Sequence, residues 1–392
     1  MREVLIAGVG MTPFGIFLNR TSKDLTKEAV EKALADSGIS KEDIQAAYVG
    51  NSVAGVVTGQ ETIRGQVFLK DVGIGSVPIF NIENACASSS TAFHLASVGI
   101  ASGMYDCVLV VGVEKMTHED KSITFKAFEG GLDVEENAEK LKQSSGKHSI
   151  FMEVYASEAR KYMKANGVKK KHLAQIAAKN HTHGSLNPYA QKRIPKSIDD
   201  VLNDRLIVEP FTKSMCSPVS DGAASLILCS KDFFKRINKK PVYLAASVVQ
   251  SADPLKQNEA VIKRASQIAY EQAGIGPEDV DVFEVHDAAA SAELVAYEEL
   301  GLCRSGEAVK LVEENITARS GTKPVNVSGG LIAKGHPVGA TGLGQIIELV
   351  WQLREEAGEK QLPTRPIIGL AQNAGGHLGH ENAACTITIV KV

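Results

Sequence analysis

Asn84-Ala85-Cys86-Ala87-Ser88-Ser89-Ser90-Thr91-Ala92-Phe93, continuing to Gly103, is the stretch that decides how the chain is read. Upstream of it, Val77 to Ile82 is apolar and partly alternating, which predicts a strand. Downstream, Phe93, Ala96, Val98 and Ile100 give a helix of small residues. Cys86 therefore stands where a strand hands over to a helix. Unpaired backbone N–H groups and the positive end of the helix dipole favour an anion there, which predicts a thiol drawn down from roughly 8.5 toward neutrality and ready to act as a nucleophile. A lone cysteine is also commonly a small core hydrophobe, so the functional reading needs a second reactive group.

That group comes from Asn326 to Gly342, which contains Gly329-Gly330-Leu331-Ile332-Ala333-Lys334-Gly335-His336-Pro337. Here too a strand runs into a helix, with His336 in place of the thiol. A residue before proline is pushed to extended geometry, which puts His336 on a loop just ahead of the helix, among glycines that let another segment approach closely.

Working outward, the chain repeats itself. Glu3 to Gly8 reads as a strand, Leu25 to Ser37 as an amphipathic helix stopped by Gly38, Ser40 to Ile44 as a capped turn, and Ala46 to Gly50 as a second strand. In the second half Val242 to Val249, Val261 to Ala273, Gly274 to Val280 and Val282 to Val285 follow the same order and spacing. The Cys86 helix then matches the His336 helix, Cys107 to Gly112 matches Pro366 to Leu370, and Ala223 to Cys229 matches Ala384 to Val390. Self-similarity of this length argues for a duplicated unit. Strands alternating with helices imply sheets covered by helices, so the expected class is α/β, with halves at residues 1–245 and 246–392. The first half carries an insertion over residues 117–216, expected to be a substrate lid or an oligomer arm.

A chain of 392 residues with 44% hydrophobic residues and a net charge of -3 can build two cores and has no bias toward polyanions, so no nucleic-acid partner is expected. The basic runs Lys169 to His172 and Lys235 to Lys240 read as solvated faces. Six cysteines show neither Cys-x-x-Cys pairs nor metal-ligand spacing, so no metal in this chain, reduced thiols and a cytoplasmic protein are expected. No signal peptide or membrane-spanning run is evident. Gly8-Val9-Gly10 lacks the third glycine of a dinucleotide fingerprint, and Gly329 to His336 lacks the ending of a P-loop.

The Cys86 and His336 segments, together with Ser217-Pro218-Val219-Ser220-Asp221-Gly222-Ala223-Ala224 and His286-Asp287-Ala288-Ala289, resemble the thiolase family over essentially the whole chain. The resemblance implies a five-layered α-β-α-β-α fold and an acyltransferase that cleaves or forms a β-keto acyl-CoA through an acyl-cysteine, with coenzyme A as substrate. It implies Cys86 as the acylated nucleophile and His336 as its base. His286 would hold a water that, with His336, forms an oxyanion hole for the thioester oxygen, and the amides of Cys86 and Gly375 would form a second hole. The His286-Asp287 pair is similar to the sterol carrier protein X-type and archaeal branch. Within it, the chain resembles thiolases that act with a small zinc-ribbon and OB-fold partner, such as benzoylsuccinyl-CoA thiolase of anaerobic toluene breakdown, and next the archaeal acetoacetyl-CoA enzymes. A homodimer paired through the first half is implied.

The chain departs from the family where a second cysteine should serve as general acid/base. The C-terminal position is Asn373, in Asn373-Ala374-Gly375-Gly376-His377, and the X-type position is Ala288. His377 or His286 is the expected substitute, since imidazole titrates near neutral pH. The vacancy also keeps open a thiolase-like aldolase, a lyase that needs no acyl-enzyme, and a non-catalytic acyl-CoA-binding subunit.

Overall fold

The structure is a computed structural model that describes residues 2–143, 148–253, 255 and 259–392. Its strands are β1 (Val4–Met11), β2 (Ala47–Gly50), β3 (Ile79–Ile82), β4 (Cys107–Glu114), β5 (Leu206–Val208), β6 (Phe211–Thr212), β7 (Gly222–Ser230), β8 (Val242–Ser251), β9 (Val282–Glu284), β10 (Ile368–Gly375) and β11 (Ala384–Lys391). Nine of them form one sheet in the order β3-β2-β4-β7-β1-β8-β11-β10-β9, and β5 with β6 forms a separate hairpin.

The duplication is visible in the pairing. β2 runs parallel to β4, which is antiparallel to β7, which is antiparallel to β1. β9, β10, β11 and β8 repeat those relations in the same order. β3 adds a parallel strand beside β2, whereas its counterpart in the second half shrinks to one parallel bridge, Phe283 to Val325. The halves join where β1 meets β8 through Leu5↔Tyr243 and Ile6↔Val242. Because β8 belongs to both ladders, the expected boundary after residue 245 falls inside a strand; a boundary before Val242 keeps that strand whole.

Alternation along the strands produces the layers, since successive side chains point to opposite faces. On β4, Cys107, Leu109, Val111 and Val113 share an outer core with the helix Ser22–Ser37. Val108 and Val110 instead enter the central core with helices Ser88–Ala101 and Val338–Arg354. Cys385, Ile387 and Ile389 of β11 face the other outer core, under the helix Val261–Ala273. The result is helix, sheet, paired helices, sheet, helix. The central helix Val338–Arg354 is buried at every residue except Trp351, as a helix sandwiched between sheets must be.

Equivalent helices stop alike: Gly38 (φ 71) and Gly274 (φ 68) take the left-handed conformation that a residue with a Cβ adopts only with strain. The turns that follow are closed by Asp43 accepting from the Ser40 amide (3.1 Å) and Asp279 from the Gly276 amide (2.9 Å).

The insertion is less of a free lid than expected. It carries a helix over Ile150–Asn166, and Lys170–Ser185, whose start reads as a solvated basic run, is a second helix. Leu173, Ile176 and Ala177 of that helix are buried in the outer core of the second half. The insertion of one half is thus built into the core of the other.

Candidate active site

The nucleophile turn is held by the serines that follow it. Ala85 takes φ 48, a left-handed conformation that costs a non-glycine residue roughly 1–2 kcal/mol. Ser88 Oγ offsets this by accepting from the Asn84 amide (2.9 Å) and donating to the Ala85 carbonyl (2.6 Å). Ser89 Oγ accepts the Leu343 amide (3.2 Å) from the other central helix, and Ser90 Oγ reaches the Ala87 carbonyl and Asn373 Oδ1, each at 3.0 Å. β10 presses on the same turn. A Cβ at Gly375 would stand 2.3 Å from the Asn84 oxygen and 2.9 Å from the Ala87 nitrogen, so this position admits no side chain.

His336 is fixed at both backbone and ring. Its amide donates to Ser220 Oγ (3.0 Å), and Nδ1 lies 2.7 Å from Thr341 Oγ1. The Thr341 hydroxyl donates its only hydrogen to the Pro337 carbonyl (3.0 Å), so toward the ring it can only accept. Nδ1 therefore carries the proton, and Nε2 keeps a free electron pair. His286, just beyond β9, is the reverse case: the Asn373 amide nitrogen donates to its Nδ1 (3.0 Å), which leaves the proton on Nε2. The two rings meet edge to face, 5.1 Å between centroids at 88°.

The Cys86 sulfur and one ring nitrogen each of His286 and His336 lie within 4.8 Å of one another. All three are metal-ligand types, but with Nε2 of His286 protonated the trio lacks the third lone pair that a metal requires. It is arranged instead as an S–H group, a base and a hydrogen-bond donor.

Burial sets the charges. It pushes His286 down to about 3, and it pushes His336 well below the usual histidine range, helped by His286 beside it, so both rings are neutral at physiological pH. The Cys86 thiol is pushed up to about 12 by burial and then by the Glu114 carboxylate, against the opposing pull of the Gly376 and Cys86 amides. This corrects the expected thiolate. The short turn Ala85–Ala87 intervenes before the helix, and desolvation outweighs the helix end. Cys86 thus rests as a thiol beside a neutral base, and its proton leaves as the sulfur attacks. The amide facing the sulfur from the glycine loop is that of Gly376 (φ 63), whereas Gly375 is still in register with Ala384 in the β10–β11 ladder.

Cys86, His286 and His336 line a cavity of about 590 Å³ walled by the insertion. His377 is not brought to it: its Nε2 pairs with Glu158 (2.7 Å) and it lines a neighbouring cavity of about 970 Å³. Asn373 is buried behind His286 and lines neither cavity. Ser220, Thr341 and Gly376 are absent from the expected site residues, although each stands within or beside a quoted motif. Thr341 stands in the first turn of the helix that starts at Val338, close enough to His336 on the loop before it for their side chains to meet.

Comparison with known proteins completes the picture. The family model described as thiolase, N-terminal domain, matches residues 4–232, and the one described as thiolase C-terminal domain-like matches residues 245–388. The chain belongs to the thiolase family. It is 39% identical over 388 residues to an acetyl-CoA acetyltransferase of Methanocaldococcus jannaschii, covering 96% of each. It is 35% identical over 400 residues to benzoylsuccinyl-CoA thiolase subunit BbsB of Thauera aromatica, covering 98% of each. Bovine sterol carrier protein 2 is 36% identical over 387 residues, which span 95% of this chain and 70% of that protein. Among solved structures, human mitochondrial 3-ketoacyl-CoA thiolase superposes with a TM-score of 0.74 at 18% identity, covering 100% of this chain and 98% of that one. The Ltp2-ChsH2(DUF35) aldolase superposes with a TM-score of 0.80 at 21% identity, covering 98% and 97%. At those identities the two structures speak to the fold. Among the described residues, no helix is long and apolar enough to cross a membrane.

Proposed function

We propose that this thiolase-type acyltransferase works through an acyl-Cys86 intermediate on a β-keto acyl-CoA whose acyl end is bulky or aromatic, with coenzyme A as the second substrate. The observation that carries the reading is a neutral Cys86 thiol within 4.8 Å of a His336 whose Nδ1 is held by Thr341 and whose Nε2 is free, both lining one cavity. As the sulfur attacks the β-keto carbonyl, its proton passes to His336. The oxygen that turns anionic meets Nε2–H of His286, or the amides of Cys86 and Gly376. Each such donor is typically worth about 3 kcal/mol in the transition state. Collapse breaks the carbon–carbon bond and leaves the acyl group on sulfur, from which the coenzyme A thiol removes it.

The walls fit such a substrate. Phe125, Phe128 and Phe151 line the cavity from the insertion, and Lys192, Arg205 and Lys213 add cationic groups suited to phosphates. Three aromatic rings favour a benzoylsuccinyl-type substrate over acetoacetyl-CoA, the second reading, which the identity to acetyl-CoA acetyltransferases keeps in view. Cys86→Ser is expected to abolish thiolysis, measured as loss of β-keto thioester absorbance. Turnover of benzoylsuccinyl-CoA and acetoacetyl-CoA side by side decides the acyl group.

A homodimer paired through the first half is part of the proposal, because β3 is the outer strand of the sheet and its Phe80 is 41% exposed. Light scattering that returns only a monomer refutes it. A small zinc-ribbon and OB-fold partner is proposed on the relation to the benzoylsuccinyl-CoA subunit, and co-purification from a cytoplasmic extract tests both the partner and the compartment.

A further inference from the structure

Cleavage of a β-keto thioester releases an enolate that must be protonated, and Asn373, His377 and His286 do not supply the proton. Asn373 is a carboxamide turned toward His286, His377 is paired with Glu158 in the next cavity, and His286 holds a single proton. Cys216 lines the same cavity as Cys86. Its thiol, however, donates to the Thr212 carbonyl (3.5 Å), and the charge it senses is Lys192, not the nucleophile.

One further group shares the nucleophile's cavity. Tyr155, on the insertion helix Ile150–Asn166, lines both the Cys86 cavity and the neighbouring one. Among the described residues its hydroxyl has no hydrogen-bond partner, although other half-buried tyrosines such as Tyr162 and Tyr270 do, with Glu298 and the Leu300 carbonyl. Burial first, and then the proximity of Cys86, Glu158 and Asp287, push its phenol far above the usual tyrosine range, so it stays protonated and is always a donor. An unpartnered phenol on the wall of the cavity that holds the nucleophile is placed to give a proton to a group that arrives with substrate.

We propose that Tyr155 is the general acid/base that replaces the missing second cysteine, donating its phenolic proton to the enolate carbon and recovering it from coenzyme A. The proposal rests on the acyl-Cys86 reading. In the first half-reaction the Cys86 proton goes to His336, the carbon–sulfur bond forms, and the carbon–carbon bond breaks. Its electron pair takes the phenolic proton to give the shortened acyl-CoA and a tyrosinate. In the second, the coenzyme A thiol gives its proton to the tyrosinate and attacks the acyl group, and the departing Cys86 sulfur takes back the proton held by His336. Atoms and charges close over the cycle, and no oxidant or further co-reactant enters. An enolate is a much stronger base than a phenolate, so the raised phenol still transfers its proton downhill.

Tyr155→Phe removes one unbonded oxygen and keeps the ring, so the fold has little reason to change. Thiolysis kcat should fall by about 10²- to 10⁴-fold, the usual worth of a positioned acid, with KM within about threefold. Alkylation of Cys86 by iodoacetamide, which needs the base but no acid, should stay within about twofold of wild type. Deuterium wash-in from D2O into the α-carbon of the released acyl-CoA, succinyl-CoA for a benzoylsuccinyl substrate, runs the protonation in reverse and should fall with kcat. A kcat within threefold of wild type overturns the proposal and leaves His336 to serve both steps. Equal loss in alkylation and turnover also overturns it, by showing a damaged site. So does unchanged Tyr155→Phe turnover beside a hundredfold loss in Cys216→Ala. Cys86→Ser with full turnover would instead sink the acyl-enzyme reading itself, an outcome separate from all of these.

Discussion

Thr341→Val tests how the base is held. Valine matches threonine in shape, so the change deletes the oxygen 2.7 Å from His336 Nδ1 and little else, at a residue with no exposed surface. Left protonated at Nδ1, the ring would bury an unpaired donor, at about 1–3 kcal/mol. The ring escapes by moving its proton to Nε2, the nitrogen needed to deprotonate Cys86. The base-competent tautomer is then depleted by roughly 5- to 140-fold, at 1.4 kcal/mol per factor of ten. The same loss should appear in the rate of Cys86 alkylation by iodoacetamide, followed by peptide mass spectrometry, and in kcat/KM for thiolysis. Thr341→Ser keeps the acceptor and should retain most of both. Alkylation at the wild-type rate in Thr341→Val would refute the tautomer argument, and an equal loss in the serine variant would trace the defect to packing.

Other expectations follow from the same geometry. The free base is the active form of His336 and burial depresses its pKa, so it stays unprotonated as pH falls through 6.5; kcat/KM should therefore show no inflection near 6.5, and one there would contradict the buried, neutral ring. His377→Ala should change kcat by less than about threefold, because the ring faces the neighbouring cavity, and a hundredfold loss confined to the carbon–carbon step, the usual effect of removing an acid, would return the acid role to it. Gly375→Ala forces a methyl group against the Asn84 and Ala87 backbone, so it should cost about 1–3 kcal/mol in thermal unfolding and displace the Cys86 turn, with activity lost; wild-type stability would show that the turn gives way freely.

Much of the fold is legible in the sequence because it is written twice. The helix, glycine stop, acidic turn and strand at Leu25 to Gly50 recur at Val261 to Val285, and the strand pairing repeats with them. What stays hidden is what depends on cross-chain packing. Lys169 to His172 looks like solvent-facing charge because its lysines precede the buried part of the helix, Leu173 and Ile176, by only a few residues.

The site follows the same division. Cys86 and His336 announce themselves through the glycines and serines around them. The charge state of Cys86 does not, because it depends on burial in the folded chain more than on its place ahead of a helix. Tyr155 carries no motif of its own. It is one aromatic on an amphipathic helix, and only the three-dimensional arrangement puts it on the wall of the cavity that Cys86 lines.

The central claim is that acyl groups pass through Cys86. Brief incubation with β-keto acyl-CoAs, without added coenzyme A, followed by acid quench, digestion and mass spectrometry, tests it most directly. The account predicts an acyl adduct on the Cys86 peptide for the true substrate, removed by adding coenzyme A and absent from Cys86→Ser. Turnover with no adduct on Cys86, or an adduct on another cysteine that coenzyme A clears at the rate of catalysis, would contradict it.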